Sequence, residues 1–314
     1  MLRTDLDIRD AFFEEVYKIA SMDRDFIFIS DDMDAFGLRK FRSDFPKQYI
    51  NIGVAEQNMI DVAAGLAACG KKVFVFGICT YVTMRCFEQI KFSICSMNLP
   101  VSIVGVGVGF SFDFDGPTHH GTTDIGIMRM LPEMIIYNPC DAVTASAAAK
   151  FAYISKKPVY VRLDKGVWSQ IYRPEDNLRN GYKVVKKLTK INIVSSGTII
   201  HQAEKLSEAL TKESVDIGIV DILRLKPFDD QLIDELARES KIIFTLEEHS
   251  LTGGIGSIVV ESLAEKNGGV KILKLAVQDK QFLSYGTREW FLELNGLTFP
   301  QSLAKISQYV KTLI

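Results

Sequence analysis

The sequence contains no C-x-x-C pair, no apolar run long enough to cross a bilayer, and no large surplus of either charge. Each absence closes off a class of function. The five cysteines, Cys69, Cys79, Cys86, Cys95 and Cys140, are irregularly spaced. An odd number leaves at least one unpaired, so they read as reduced core residues of a cytosolic protein. The least polar stretch, Leu99 to Phe112, is too short for a membrane helix and is broken by Pro100 and by glycines and serines. Asp5 stands where the apolar core of a signal peptide would have to begin. With 37 basic and 39 acidic residues the formal net charge is -2, which argues against a broad basic face for nucleic acid. The expectation is a soluble, cytoplasmic protein with neither membrane nor nucleic acid as partner.

What is present is a regular alternation. At 314 residues and 47% hydrophobic content the chain has room for two domains with sizeable cores. Strand patterns at Phe26–Ser30, Lys72–Gly77, Val101–Val108, Met134–Tyr137 and Pro158–Arg162 interleave with helix patterns at Ala55–Cys69, Tyr81–Met97, Ile125–Met130 and Ala142–Ile154. The polar, turn-rich Arg173–Gly181 suits a linker, and a second set of strands and helices runs from Ile191 to Leu275. The expected fold class is α/β with two doubly wound domains, residues 1–170 and 191–314, joined by a linker over 171–190.

Open parallel sheets bind ligands at the carboxyl ends of their strands, which directs attention to three loops. In Asn51–Met59 (N-I-G-V-A-E-Q-N-M), Glu56 falls in the first turn of a helix, where the bland reading is a carboxylate favoured by the helix dipole. Phe112–Asp124 gathers two of the four histidines and three aspartates. Asp113, Asp115, His119, His120 and Asp124 could be ligands of a divalent metal. Alternatively, His119 could be a proton-transfer group beside a polar substrate. Gly105, Gly107 and Gly109 are spaced G-x-G-x-G, a poor dinucleotide signature better read as glycines that let a buried strand end pass its neighbours.

Together these loops resemble the transketolase family, including deoxyxylulose-phosphate synthase and the two-gene transketolases, over nearly the whole chain. Asn51–Met59 is similar to the family's G-I-A-E-Q-N-M signature, and Asp115–His119 (D-G-P-T-H) to the run lining its sugar channel. Phe87–Ile90 and Met128–Pro132 resemble flanking helices, and Leu246–Ser257 (L-E-E-H-S-L-T-G-G-I-G-S) a stretch of the family's C-terminal domain. The resemblance implies that Glu56 bonds the pyrimidine ring nitrogen of thiamine diphosphate as a remote acid–base partner. It implies that Tyr81 stacks on that ring, although a core aromatic would look the same, and that Asp32 and Arg85 also face the cofactor. Asp115 and His119 would then contact sugar hydroxyls, with Arg9 and Lys165 near the sugar phosphate.

Family members hold the diphosphate and its Mg2+ through a G-D-G motif, which does not occur in this sequence. The resemblance therefore implies a partner subunit carrying the N-terminal section, in an assembly of two copies of each chain. Gly107, Phe36, Phe114 and His120 depart from the pattern, as does lysine at Lys165, which lacks the arginine fork. They imply an unusual sugar, bulkier or less phosphorylated. The expected function is transfer of a two-carbon ketol unit between a ketose and an aldose. The alternatives are a decarboxylating synthase of 1-deoxy-ketose phosphates, a non-catalytic subunit, and a stand-alone NAD-binding protein.

Overall fold

The computed structural model describes residues 5–266 and 269–311. The first four residues, part of the N-terminal stretch read above, lie outside them. In the first domain the sequence places phenylalanine and β-branched residues at alternate positions of adjacent strands. In β1 (Phe26–Ser30), Phe26 and Phe28 fall on one face and Ile27 and Ile29 on the other. A period of two sends successive side chains to opposite sides of a sheet. The aromatic face packs under α1 (Ile8–Met22) and α2 (Phe36–Asp44) through Phe12, Phe13 and Phe41. Asp7 caps α1 by accepting the Arg9 N–H at 2.8 Å.

The domain continues with β2 (Tyr49–Asn51), α3 (Glu56–Ala68) and β3 (Lys72–Ile78). β3 pairs with β1 and carries the same alternation, Phe74 and Phe76 lying on the aromatic face and Val73 and Val75 on the aliphatic one. Then come α4 (Phe87–Gln89), β4 (Val101–Val106), α5 (Asp124–Arg129), β5 (Ile135–Tyr137), α6 (Ala142–Ile154) and β6 (Val159–Leu163). The expected single helix Tyr81–Met97 is instead two π-helical turns, Tyr81–Arg85 and Ile90–Cys95, flanking α4. The Thr83 hydroxyl donates back to the Cys79 carbonyl at 2.6 Å, the kind of local competition that loosens a regular turn.

The rest of the chain builds the second domain and lends β10 to the first: β7 (Tyr182–Lys186), β8 (Ile191–Ser195), α7 (Ile200–Lys212), β9 (Gly218–Ile222), β10 (Arg224–Lys226), α8 (Asp230–Glu239), β11 (Ile242–Ser250), α9 (Ile255–Ala264), β12 (Lys271–Val277), α10 (Arg288–Asn295) and α11 (Phe299–Lys311) follow in order, and the second domain has a sheet of its own. Its sheet has the order β12-β11-β8-β9-β7, parallel except for β7. The stretch 171–190 is thus shorter as a connection than its composition indicates, because β7 belongs to this sheet. The first sheet has the order β10-β5-β6-β4-β3-β1-β2, so a strand from the second half of the chain closes the edge of the first sheet, antiparallel to β5. Lys226, at the end of β10, donates to the carbonyls of Arg129, the last residue of α5, and of Leu131 just after it. Among the described residues no helix is long and apolar enough to cross a membrane.

Candidate active site

Glu56 opens α3 and is 2% exposed. Its N-cap, Ala55, has no side chain to cap the helix, so the carboxylate sits where the helix end favours negative charge. Arg85, from the first π-helical turn, donates through Nη1 to Glu56 Oε1 at 2.7 Å. Burial works against the Arg85 charge, but the bond to Glu56 and its charge outweigh that and raise the pKa. The guanidinium carbon also lies 3.9 Å from the centre of the Tyr81 ring. The Tyr81 hydroxyl in turn is 3.4 Å from His119 Nε2, with the two rings 5.2 Å apart at 61°. Glu56, Arg85, Tyr81 and His119 are therefore linked contact by contact, across three separate segments.

Beside them is a carboxylate that carries no motif in the sequence. Asp31 follows β1 and is buried, with no hydrogen-bond partner for Oδ1. Burial, and secondly the charge of Glu56, push its pKa up to about 7. A side chain at Gly77 would place its Cβ 2.1 Å from Asp31 Oδ2, so glycine is what admits this carboxyl against β3. The same burial and the same glutamate raise the thiol of Cys86. Asp32, by contrast, points outward in a left-handed backbone conformation (φ 71°) and accepts from Asn51 Nδ2 at 2.8 Å.

The loop after β4 is pinched at its base, where Gly109 N–H donates to the Gly121 carbonyl at 2.8 Å. His119 is half-buried, with Nδ1 3.0 Å from the Thr118 hydroxyl, while Asp115 is exposed. Phe112 lies 6.1 Å from the His119 ring, and the Lys165 ammonium sits 4.6 Å over the Phe112 ring. The ring occupies the space of a side chain at Gly107, since a Cβ there would fall 2.0 Å from Phe112 Cδ2. Arg9 lies in the first turn of α1 beside this region: Ile8 N–H donates to the Gly166 carbonyl at 2.9 Å, and Arg9 Nε is buried without a partner.

The five residues that could have formed a metal centre in the loop diverge. Asp124 accepts from Arg162 Nε at 2.8 Å and from the Tyr160 hydroxyl at 2.7 Å, in a buried network. His120 packs on Phe110 and Phe291, and burial lowers its pKa. Asp113 accepts the Arg288 backbone N–H at 3.1 Å. Among the described residues no group of three or more His, Cys, Asp or Glu side chains is arranged to hold a metal ion.

Beyond its geometry, the chain has clear kin. Residues 4–169 match the family described as "Transketolase, pyrimidine binding domain", and residues 181–298 match "Transketolase, C-terminal domain". The chain belongs to the transketolase family. It is 31% identical to a subunit of apulose-4-phosphate transketolase from Phocaeicola vulgatus, covering 90% of this chain and 91% of that protein. A 6-deoxy-6-sulfo-D-fructose transketolase subunit of a Clostridium species is 30% identical, covering 93% and 90%. The 1-deoxy-D-xylulose-5-phosphate synthase of Clostridium tetani is 28% identical, and the match takes in 46% of its length. Among solved structures, one described as a split gene transketolase, inactive beta4 tetramer, superposes with a TM-score of 0.88 at 31% identity, covering 96% of this chain and 98% of that one. Thus both halves of this transketolase-family chain have kin among split-gene subunits.

Proposed function

We propose that this chain is the pyrimidine-holding subunit of a thiamine-diphosphate-dependent transketolase, which moves a two-carbon ketol unit from a ketose to an aldose. Its first domain would run to residue 170 and its second would begin at β7. The observation that carries the proposal is the buried Glu56 carboxyl, held by Arg85 and adjoined through it by the Tyr81 ring and His119.

These residues suit an aminopyrimidine: a carboxyl withdrawn from water for the ring nitrogen, and an aromatic side chain beside it. When bound, thiamine diphosphate supplies the carbanion and electron sink for ketol transfer. Glu56 holds and returns a proton at its carboxyl oxygen, and Arg85 keeps that carboxyl in one orientation. His119, with Nδ1 beside Thr118 and Nε2 beside Tyr81, presents an imidazole to a sugar hydroxyl; Asp115 on the same loop offers an acceptor. Arg9 and Lys165 suit an anionic group at the far end of the sugar, and Asp32, exposed just after the carboxyl end of β1, would face the cofactor.

The diphosphate and its Mg2+ need hard oxygen ligands in a near-octahedral arrangement. The sequence has no G-D-G, and a second polypeptide is the source we assign to those ligands. Two relatives named as subunits, each matched over about nine-tenths of its length, support an assembly with such a partner. The expected form is a heterotetramer.

The test is ketol transfer by the chain mixed with a diphosphate-binding subunit. Glu56→Ala should abolish turnover while light scattering shows the assembly unchanged. Undiminished turnover in that variant would reject the role of Glu56, and full activity of the chain alone would reject the partner. The similarity to 1-deoxy-D-xylulose-5-phosphate synthases supports one second reading, a pyruvate-decarboxylating ligase, which release of carbon dioxide would reveal.

A further inference from the structure

One guanidinium outside the Glu56 cluster holds the backbone at both sides of the sugar-facing residues. Arg288, at the start of α10, donates through Nε to both oxygens of Glu248 at 3.0 Å, and through Nη2 to Glu248 Oε2 and Asp164 Oδ2, each at 2.8 Å. Each carboxylate is tied onward. Glu248 Oε1 accepts the Phe110 N–H at 2.6 Å, and a Cβ on Gly109 would meet that same oxygen at 2.5 Å. Glycine in a left-handed conformation (φ 57°) is what lets the loop close onto the carboxylate. Asp164 Oδ1 accepts the N–H of Lys165 at 2.8 Å. The backbone N–H of Arg288 itself donates to Asp113, two residues before Asp115.

We propose that Arg288 is a positioning residue of the sugar site, setting from the C-terminal domain the placement of the loop that carries Asp115 and His119 and of the segment that carries Lys165. The inference rests on the reading of those three residues as sugar contacts. Glu248 and Asp164 are 5% and 1% exposed, and Arg288 is the cation between them. Without it two buried carboxylates face each other uncompensated, the most costly way to break an ionic pair. The relief available to Glu248 is to swing away, which releases the Phe110 N–H and the start of the loop. The Glu56, Arg85 and Tyr81 cluster shares none of these bonds. Tyr81 meets the loop only through the His119 ring, while Glu56 is held from Arg85, so Arg288 acts on sugar binding far more than on the grip on the cofactor. A lysine at this position supplies one charge without the planar fork that serves two carboxylates.

The experiment compares Arg288→Met and Arg288→Lys in the complex reconstituted with a diphosphate-binding subunit, measuring the ketose KM and the thiamine diphosphate Kd. Amide hydrogen exchange is followed on the chain by itself. In Arg288→Met the sugar KM should rise about tenfold or more while the cofactor Kd moves less than about threefold, as expected when a reacting geometry is displaced by a fraction of an ångström. Arg288→Lys should recover part of the sugar KM. Exchange should quicken over residues 109–115 and 164–166 and stay unchanged in α3. Parallel weakening of sugar and cofactor, or an unchanged KM with only a lowered unfolding midpoint, overturns the proposal. If Arg288→Met does not fold, Arg288→Lys decides by the same comparison, with a smaller KM rise expected. A wild-type complex without ketol transfer would defeat the functional reading instead, and the exchange pattern would still decide this one.

Discussion

Glu56 is 2% exposed, while the side chain of Arg85, its partner at 2.7 Å, is 42% exposed. The pair is lopsided: one charge is sealed in and the other reaches solvent. Water screens the attraction, so the bridge contributes little to folding, and its main effect is to aim a buried carboxyl. Arg85→Met leaves the buried Glu56 carboxyl without its counter-charge and should lower stability by about 1–3 kcal/mol in urea unfolding, and cut turnover of the reconstituted enzyme about tenfold or more through misplacement of the carboxyl. Loss of stability without loss of turnover would contradict the aiming role.

Asp31 predicts a dependence on pH with a definite sign. Its folded pKa, about 7, lies above the ordinary 3.8, so the folded state binds the extra proton between those values. Stability therefore falls as pH rises through that window. Asp31→Asn should stabilise the chain by on the order of 2–4 kcal/mol at pH 8 and leave it nearly unchanged at pH 4. Thermal unfolding of both forms across that range is the measurement.

His249 gives the opposite slope. Burial lowers its pKa to about 4, and the neutral ring accepts the Gly126 N–H through Nε2 at 3.3 Å. The unfolded chain takes up a proton near the usual 6.5 and the folded chain does not, so stability drains away as pH falls from there toward 4. His249→Gln, which keeps an acceptor without the titration, should remove roughly 3 kcal/mol of that acid-side loss. Equal acid sensitivity in both proteins would show that the ring does not titrate as described.

Gly107 has φ 87°, and the Phe112 ring fills the volume over it. Gly107→Ala should cost about 2 kcal/mol or more from the strained backbone and the overlap together. Adding Phe112→Ala should relieve only the overlap. A double-mutant cycle in urea would show this as a coupling between the two positions; simple additivity would argue against the contact.

Much of the fold was legible because β1 and β3 announce themselves: alternating phenylalanine and β-branched residues suit a strand buried on both faces. β10 was not, since three residues, Arg224–Lys226, give no period to detect and their pairing with β5 depends on tertiary contact. β7 hid for a related reason, its lysines, the exposed Val184 and the half-buried Val185 reading as the tail of a polar connection. In the site, Glu56 and His119 stood in motifs. Asp31 stands beside Asp32, and which of the two adjacent aspartates turns inward is set by the left-handed backbone at Asp32. Arg288 lies in no motif. Only the meeting of α10 with β11 and the segment just after β6 reveals what it holds, although Glu248, in the E-E-H run, was a pointer toward it.

The strand that β10 lends across the chain has a bearing on how such a gene can be cut. A product truncated after the first domain would expose the backbone groups of β5 as a raw border, open to pairing with a neighbouring molecule. The first sheet is therefore finished only when the chain has been made as far as Lys226, and a cut anywhere between β5 and β10 parts the two strands that close it.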